Sequence, residues 1–312
     1  MLPPLTALPL LRIRRNKMQL NPEVKIVADS LSARGVRITS FQLKYWRAIH
    51  AEFMTHRMFG RNASSSRAIP FSRMLDMVRK DPWASWHIGK NQPGMQANDE
   101  VDAVTKDKFY VELLELSNIV ANYVERWGDE YSIHKQVVNR YLEPFGSISV
   151  VVTATDWQNF FFLRDHRAAE PNIRRLAETM SHEFHESTPV KRNGTFDDPN
   201  AWHLPYITDE ERNSKEWTCE DLRQFSGARC ARVSFNNHDQ TAPSPEKDRG
   251  TYAKLISHSW DEPDHQSPLE HQAFGTALRY HGNLYGWASQ RFYEELKWSN
   301  LPLSERIQSY ER

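Results

Sequence analysis

Large apolar side chains recur at helical spacing over residues 39–57, which predicts a helix in this part of the chain. The side chains that fall on one face of this helix are Leu43, Trp46, Ile49 and Phe53. Thr39 and Gln42 have the spacing of a capping box, so the helix is expected to begin near Thr39. It is expected to end near Gly60, and the residues just before Gly60 then lie on or beyond its last turn.

Further elements are predicted in the middle of the chain. Residues 80–105 are rich in Pro, Gly and Asn and predict a long loop. Residues 107–127 predict a helix with these side chains on one side: Phe109, Leu113, Leu116, Val120, Tyr123 and Trp127. A β-branched run at 147–155 predicts a buried strand, followed by a helical segment with a run of phenylalanines. Pro171 suits the first turn of another helix, whose apolar face is Ile173, Leu176, Met180 and Phe184.

The C-terminal part of the chain predicts a different sequence of elements. In chain order they are a linker or lid at 187–222, a strand at 227–235, a polar loop at 236–250, a helix at 251–260, a turn and strand at 265–280 and a final helix at 283–296. Long helices with few strands predict an α+β fold, in which a small mixed or antiparallel sheet is packed with long helices. We expect one domain over residues 21–312, preceded by a disordered extension at 1–20.

Composition excludes several classes of protein. The 40 basic and 40 acidic residues cancel, so any site for an anion must be local, and a stable nucleic-acid partner is not expected. The two cysteines, Cys219 and Cys230, favour a reducing cytoplasm over a disulfide framework or a zinc site. No segment has eighteen uninterrupted apolar residues, so no membrane span is predicted. The apolar start of the chain precedes its basic residues, which is the reverse of a signal peptide.

The most distinctive chemistry lies at residues 55–67, THRMFGRNASSSR, where cations surround a small polar row. The cations and the histidine are His56, Arg57, Arg61 and Arg67, and the polar row runs from Asn62 to Ser66. Guanidinium groups, hydroxyls and loop N–H groups together suit a phosphate. A cation at the end of a helix also complements the helix dipole, which would explain Arg57 alone. From the residues alone both interpretations stay open.

The same stretch resembles the signature of the flavin-dependent thymidylate synthases, which contacts both the flavin and the nucleotide dUMP in that family. The matching positions are His56, Arg57, Asn62, Ser65 and Arg67. Thr55 stands where the signature begins with an arginine, and Ala63 stands where it has a glutamate. These two departures favour an alternative, in which a related flavoenzyme modifies another pyrimidine nucleotide.

Two later segments are also similar to elements of this family. Residues 134–145 resemble the segment that supplies an arginine to the dUMP phosphate, and Arg140 matches that arginine. Residues 159–164 resemble a pair of family residues, with Asn159 on the flavin side and Arg164 on the nucleotide side. The resemblance thus implies that residues 21–186 contain the signature and the nucleotide-binding site.

Two segments that the family places before its signature come after it in this chain, as if the sequence were circularly permuted. Residues 228–235 and 265–274 resemble the region in which a serine and a histidine reach the flavin. The matched positions are Ser234, His265 and Ser267, which gives the part at 223–312 the flavin contacts. Glu270 and His271 are expected to be structural. On the final helix, Gln290 and Arg291 echo the helix before the signature and could supply the arginine missing at Thr55.

The resemblance implies reductive methylation of dUMP to dTMP. Methylenetetrahydrofolate would give the carbon, FAD would carry the electrons and NADPH would reduce the flavin, in a cytoplasmic homotetramer. The residues implied in catalysis are Ser65, Arg67 and Arg164, with Ser65 binding rather than attacking the substrate. Those implied in substrate binding are Glu52, Ser65, Ser66, Arg67, Arg140 and Arg164. Those implied in flavin binding are His56, Arg57, Asn62, Asn159, Ser234, His265 and Ser267.

Other functions are weighed against this one. A non-catalytic nucleotide- or nucleic-acid-binding protein would have no need of the SPLEH segment at 267–271. A metal site is not expected, because His182 and His185 lack a third ligand at a standard spacing. A hydrolase is not expected, because the serines lack a G-x-S-x-G turn. A Rossmann flavin site is not expected either, because no GxGxxG occurs.

Overall fold

The computed structural model describes residues 18–237, 241–256 and 265–300. Its strands are β1 (Glu23–Ser32), β2 (Arg37–Trp46), β3 (Gly60–Ala63), β4 (Ser147–Ala154), β5 (Val190–Arg192), β6 (Trp202–His203), β7 (Ala273–His281) and β8 (Leu284–Ser289). Its helices are α1 (His50–Phe53), α2 (Phe71–Lys80), α3 (Ala103–Asp129), α4 (Lys135–Val138), α5 (Gln158–Arg164), α6 (Pro171–Glu186), α7 (Asp209–Asn213), α8 (Cys219–Arg232), α9 (Pro245–Leu255) and α10 (Gln290–Ser299). Short 3-10 turns lie at Arg47–Ile49, Asn139–Phe145, Pro199–Ala201 and Ser267–Glu270.

The strands form two sheets. The larger sheet has five strands in the order β3-β4-β2-β1-β5, and it is mixed because β1 and β5 run parallel while the other neighbours are antiparallel. The smaller sheet has the order β6-β7-β8 and is antiparallel. A small mixed sheet accompanied by long helices confirms the predicted α+β class.

The main core lies between one face of the larger sheet and the helices α5 and α6. Its fully buried side chains from β4 and α6 include Val150, Val152, Ile173, Leu176 and Met180. Each large apolar side chain removed from water in this way contributes about 1.5–3 kcal/mol. The strand predicted at 147–155 and the helix predicted to begin at Pro171 are both confirmed.

The helix predicted at 39–57 is wrong over most of its length, because Arg37–Trp46 is the strand β2. Its core-facing side chains alternate with period two: Phe41, Leu43 and Tyr45. β2 pairs with β1 on one side and β4 on the other, and these long-range partners outweigh the local helical spacing. Thr39 caps no helix; its hydroxyl donates to Asp29 Oδ1 at 2.9 Å. Only α1, at the end of the predicted stretch, is α-helical.

The strand predicted at 227–235 is also wrong, because these residues begin inside the helix α8. A capping box of Thr218 and Asp221 forms the start of this helix and favours a helical conformation of the residues that follow. Gly227 lets the helix lie against Leu269, since a Cβ at this position would come within 2.9 Å of a Leu269 methyl carbon. Close packing by small residues, rather than β-propensity, therefore decides the conformation here.

The segment predicted as a linker or lid, 187–222, is part of the packed fold. It carries β5, β6 and α7, and Trp202 and Leu204 are buried in a core cluster with Phe225 of α8. Glu211 on α7 accepts hydrogen bonds from the buried guanidinium of Arg229. The segment is mostly polar and contains several prolines, so its composition indicates a linker. The few large residues that are buried, such as Trp202 and Leu204, do not stand out in that composition.

The predicted final helix at 283–296 is partly wrong, because its first half is the strand β8. A two-residue turn joins β7 to β8, and Gly282 has a φ of 62° there, as a tight hairpin turn requires. The strand predicted within 265–280 is confirmed as β7. The helix predicted at 251–260 begins earlier, at Pro245, which shortens the predicted loop at 236–250; residues 257–260 lie outside the described part.

The helix predicted at 107–127 is confirmed as α3, which starts after the cap residue Asp102. The predicted face is divided between two environments: Leu113, Val120 and Trp127 are half-buried, whereas Phe109, Leu116 and Tyr123 are exposed. The fully buried side is instead formed by Tyr110, Ser117, Ala121 and Val124. Core packing therefore explains only part of this stripe. The loop predicted before the helix is confirmed over residues 81–102.

Residues 1–17 of the predicted extension lie outside the described part of the chain. Met18 is already buried, and Gln19 forms a β-bridge with Trp83, so the end of the predicted extension is attached to the fold. Among the helices that the structure describes, none combines the length and apolar character needed to cross a bilayer.

Candidate functional site

The signature stretch leaves α1, turns at residues 54–59 and continues into β3, an edge strand of the larger sheet. Pairing with β4 sets Arg61 opposite Val152 and Asn62 opposite Val151. Neighbouring residues of a strand point to opposite faces. Arg61 and Asn62 therefore belong to two different groups of side chains, although they are adjacent in the chain.

Arg67 and Arg140 line one surface cavity, together with Gln136, Val137 and Tyr141. Its volume of about 380 Å³ lies within the usual range for small-molecule sites. Both arginines are exposed, and neither guanidinium forms an ion pair within the described residues. Two unpaired guanidiniums on one cavity form a site suited to a phosphate, because each offers a planar fork of N–H donors.

Two side chains that the sequence did not single out hold the walls of this cavity together. Asn139 is fully buried, and its side-chain amide donates to the carbonyl oxygens of Ser66 at 2.9 Å and Ile69 at 3.1 Å. Glu143 accepts from the hydroxyl of Ser66 at 2.5 Å and pairs with Arg47 at 3.1 Å. These bonds fix the turn that carries Arg140 against the loop that carries Arg67.

The three serines of the polar row do different things. Ser64 extends the pairing with β4, since its N–H donates to the carbonyl of Ser149 and its hydroxyl accepts from the N–H of Ser149. The hydroxyl of Ser66 is buried and engaged by Glu143, so it does not face the cavity as the sequence suggested. Ser65, two residues before Arg67 in the chain, is exposed. Of the two serines predicted to bind the phosphate, Ser65 and Ser66, only Ser65 has an exposed side chain.

Arg164 does not line the cavity; it belongs to a second group of side chains at the end of α1. Its Nε donates to His56 Nε2 at 2.9 Å, and its Nη2 donates to Thr55 Oγ1 at 3.1 Å. Glu52 lies 3.7 Å from its Nη1. The structure thus brings together Arg67 with Arg140, and Arg164 with Glu52 and His56, as two clusters rather than one.

His56 is a neutral acceptor in this second cluster. Its ring packs against Phe59 and Phe160, at centroid distances of 5.7 and 4.9 Å. Burial, and then the nearby guanidiniums of Arg164 and Arg61, lower the pKa of His56 to about 4. Because the N–H of Arg164 donates to Nε2, the proton of the neutral ring is on Nδ1.

Asn62 joins the signature to the segments that the sequence analysis described as permuted. Its amide donates to the carbonyl oxygens of Cys230 at 2.9 Å and Ala231 at 3.1 Å, at the end of α8. The hydroxyl of Ser267 donates to its Oδ1 at 3.3 Å. Residues far apart in the chain thus meet at Asn62, and Ser234 follows directly in the turn after α8.

The remaining residues predicted to contact a flavin are exposed or half-buried. Arg57, Asn159 and His265 are exposed, and Ser234 is half-buried. FAD presents carbonyl oxygens, ring nitrogens and a diphosphate, all of which accept hydrogen bonds. Exposed guanidinium, imidazole, amide and hydroxyl groups suit these acceptors, so the residues present fit an FAD cofactor.

Arg61 is the residue whose importance the sequence left undefined. It is half-buried, and its Nη1 donates to the carbonyl oxygen of Met54 at 2.8 Å. Burial lowers the pKa of Arg61, while the nearby Glu270 and Tyr45 raise it. The sequence around Arg57 and Arg61 does not distinguish the two arginines; the three-dimensional fold makes Arg61 half-buried and leaves Arg57 exposed.

A second cavity, of about 230 Å³, adjoins β3 and α10. Its lining includes Gly60, Glu270, Arg291 and Phe292. Arg291 does not reach Thr55; it pairs with Glu270 at 2.6 Å and with Glu295 at 2.7 Å. Gln290 is buried.

The structure describes no group of three or more histidine, cysteine, aspartate or glutamate side chains that could hold a metal ion, within residues 18–237, 241–256 and 265–300. Both cysteines are buried thiols, and burial raises the pKa of Cys219 to about 11. The described chemistry of the site is therefore that of guanidinium, hydroxyl, amide and imidazole groups.

Comparisons with known proteins give distant structural likenesses. No protein-family model and no curated protein matches the chain. A UMP/dUMP methylase, PolB from Streptomyces cacaoi bound with 5-Br UMP, aligns with 55% of this chain and 91% of its own, at 14% identity and a TM-score of 0.46. Thymidylate synthase X (ThyX) from Helicobacter pylori with FAD and dUMP aligns with 47% of this chain and 67% of its own, at 13% identity and a TM-score of 0.32. Likenesses this low leave the function to be inferred from the chain's own residues.

Proposed function

We propose that the chain is a flavin-dependent enzyme that acts on a pyrimidine mononucleotide, and that its reaction is the reductive methylation of dUMP to dTMP with methylenetetrahydrofolate and NADPH. The observation that carries the proposal is the cavity shared by Arg67 and Arg140. Both arginines come from segments that resemble the dUMP-binding segments of the flavin-dependent thymidylate synthases. In the proposal they bind the 5′-phosphate of the nucleotide.

The surroundings of the cavity support this role. Arg67 and Arg140 carry charges that no acidic side chain neutralises within the described residues, so binding a phosphate breaks no existing ion pair. Ser65, two residues before Arg67 in the chain, is exposed, and in the proposal its hydroxyl donates to the same group. The ring of Tyr141 and the side chain of Val137 give the cavity an apolar wall for a sugar or a base.

In the proposal, the cluster around Arg164 contacts the pyrimidine ring of the nucleotide and the edge of the flavin. Glu52 and His56 hold the guanidinium of Arg164 in place from two sides. His56 stays neutral, so it accepts from Arg164 rather than repelling it. Arg164 is thereby positioned as a fixed donor for a carbonyl oxygen. No protein nucleophile is assigned, and Ser65 binds substrate rather than attacking it.

FAD is assigned to the residues that the resemblance implies, namely Arg57, Asn159, Ser234, His265 and Ser267, of which Ser267 contacts Asn62. When bound, the flavin supplies the electrons of the reductive step. The chain's own contribution is to bind the ring edge and the diphosphate, and to orient them through the fixed Asn62–Ser267 contact. The proposed homotetramer and cytoplasmic location come with the family resemblance and are part of the same proposal.

The absorbance spectrum of the purified protein, before and after reconstitution with FAD, is the first test. We expect a yellow protein, and formation of dTMP from dUMP when methylenetetrahydrofolate and NADPH are supplied. A protein that stays colourless after reconstitution but binds dUMP would overturn the enzymatic proposal and indicate a nucleotide-binding protein.

Product analysis with dUMP, UMP and dCMP separates the proposed reaction from its nearest alternative. Thr55 donates its hydroxyl to the carbonyl of Glu52 and accepts from Arg164, where the family signature has an arginine. This local difference favours an altered nucleotide preference as the second candidate. Turnover of UMP or dCMP in preference to dUMP would select it. In Ser65→Ala, a large loss of turnover with unchanged dUMP binding would contradict the binding role of Ser65.

A further inference from the structure

Helix α3 and its C-cap residue Glu130 expose a regular stripe of side chains, which we call the α3 stripe. Its positions are Thr105, Phe109, Glu112, Leu116, Ile119, Tyr123, Arg126 and Glu130. Successive members are separated alternately by four and three residues, which is the spacing of a two-helix seam. The apolar members Phe109, Leu116, Ile119 and Tyr123 are 40, 49, 53 and 48% exposed. Contiguous exposed apolar surface of this kind marks an interaction site.

The stripe is displayed by a helix that is already anchored on its other side. Tyr110, Ala121 and Val124 are buried beneath it. Arg79 of α2 makes a bidentate ion pair with Glu125, at 2.9 and 2.7 Å. The fold therefore holds α3 in place without using the stripe.

We propose that the α3 stripe binds the α3 stripe of a second copy of this chain, with the two helices antiparallel. In this register Leu116 meets Ile119 of the second copy, and the reverse contact repeats by two-fold symmetry. The next layers set Glu112 against Tyr123 and Phe109 against Arg126. A tyrosine hydroxyl can donate to a carboxylate, and a guanidinium stacks on an aromatic face, so the polar members are complementary.

Charge selects this orientation over the parallel one. Lys108 and Asp129 are exposed and flank the stripe near its two ends. In the antiparallel register Lys108 lies opposite Asp129 of the second copy, and this pair occurs twice. In a parallel pair each residue would meet its own copy, so Glu112 would face Glu112 and Arg126 would face Arg126. Like charges in the seam disfavour that arrangement.

The stripe is continuous with the side of the molecule that carries the Arg67–Arg140 cavity. Tyr123 contacts Trp127 at a ring distance of 6.1 Å, and Trp127 contacts Tyr141 at 5.3 Å. Tyr141 lines that cavity. The dimer nevertheless follows from the stripe alone and holds whatever ligand the cavity takes.

Sedimentation equilibrium of the full chain tests the dimer. The wild-type protein is expected to self-associate at micromolar concentration. Ile119→Glu should weaken association at least about a hundredfold, because symmetry places the substitution twice in the apolar centre. Leu278→Glu is the matched control: Leu278 is also an exposed apolar residue, 50% exposed on β7, and its substitution should leave association unchanged.

Charge reversal tests the orientation. Lys108→Asp or Asp129→Lys alone should weaken association roughly tenfold, and the double exchange should restore it. A monomeric wild-type protein, or association that Ile119→Glu leaves intact, would overturn the proposal. A lower unfolding temperature of Ile119→Glu with no change in mass would overturn it as well, because the stripe would then stabilise the single chain rather than a contact between two copies.

Discussion

Arg67 and Arg140 reach one cavity because a few buried polar side chains fix two segments that are far apart in the chain. Asn139 bonds to two carbonyl oxygens of the loop that carries Arg67, and Glu143 bonds to Ser66 in the same loop. A buried amide with its donors satisfied in this way specifies one relative position of the two segments. Asn139 is therefore a positioning residue for the proposed phosphate site.

Substitution of Asn139 should separate the two walls of the cavity. Asn139→Ala leaves two carbonyl oxygens without their donor, so we expect the free energy of unfolding to fall by about 1–3 kcal/mol. The affinity for dUMP should fall about tenfold, because Arg140 is no longer held beside Arg67. Urea unfolding and titration calorimetry measure the two effects. Asn118→Ala, which removes a half-buried amide on α3, is the control and should leave dUMP affinity unchanged.

At the residue scale, the sequence identifies which side chains carry the chemistry better than it identifies their partners. The signature indicates Arg67, and Arg140 follows from a separate resemblance; both line the cavity. Ser66 was assigned to the same cradle, but its hydroxyl is engaged by Glu143. Arg61 and Arg57 look equivalent in the sequence, yet one is half-buried and the other exposed. Such differences depend on residues distant in the chain, which local spacing does not encode.

At the scale of elements, buried polar side chains link the two sheets. His203 of β6 bonds to Ser30 and Ser40 on the larger sheet, at 2.9 and 2.8 Å. Ser40 and Thr153 share a short hydrogen bond of 2.5 Å, and Thr153 lies 2.8 Å from His271 Nδ1. His271 is fully buried at the end of this polar chain, which is compatible with the structural role expected from the sequence.

Breaking the middle of this polar chain should destabilise the fold. Thr153→Val keeps the side-chain shape but removes the partner of His271 Nδ1 and one of the two partners of the Ser40 hydroxyl, which keeps its bond to His203. We expect a loss of about 1–3 kcal/mol in the free energy of unfolding, measured with urea. Thr276→Val, at a half-buried position of β7 away from the polar chain, is the control and should change stability by less than about 0.5 kcal/mol. An equal loss of stability in Thr153→Val and Thr276→Val would contradict the stabilising role of these buried hydrogen bonds.

Acid should weaken the fold through its buried histidines. Burial lowers the pKa of His271 to about 3 and that of His203 well below its ordinary value of 6.5. The unfolded chain takes up protons near pH 6.5 that the folded chain does not accept, so stability is complete above this pH and falls as the pH drops toward 4. Each such histidine contributes a slope of up to about 1.4 kcal/mol per pH unit.

Urea midpoints between pH 7 and 4 measure this dependence. His271→Asn keeps an amide near the position of Nδ1 but removes the titrating ring. Its stability should therefore depend less on pH than that of the wild-type protein, even if its stability at pH 7 is lower. An unchanged slope in this variant would contradict the assignment of His271 as a buried neutral ring.

The errors of the sequence analysis at the scale of elements share one physical cause. In residues 39–57 the spacing of Leu43, Trp46 and Ile49 fits a helix, while Phe41, Leu43 and Tyr45 fit a strand equally well. Pairing with β1 and β4 decides between the two. Elements whose apolar pattern faces the core, such as α6 and β4, were predicted correctly because their local preference and their tertiary setting agree.

At the scale of the whole molecule, the segments that the resemblance placed in an unusual order meet in space. Asn62 of the signature contacts the end of α8 and Ser267, and Gly60 lies against Glu270. The order of segments along a chain matters less than their contacts, provided that connecting segments can close at low cost. The proposed dimer along α3 would add a contact between copies on the side that carries the cavity.

The measurement that tests the central claim most directly is titration of the protein with dUMP and with deoxyuridine, which lacks the phosphate. The wild-type protein should bind dUMP far more tightly than deoxyuridine. Arg67→Ala and Arg140→Ala should each weaken dUMP binding by about tenfold or more and leave deoxyuridine binding unchanged, because each removes a charge-assisted contact to the phosphate alone. Arg34→Ala, at an exposed turn, should bind both as the wild-type protein does. Undiminished dUMP binding in both cavity variants would contradict the account.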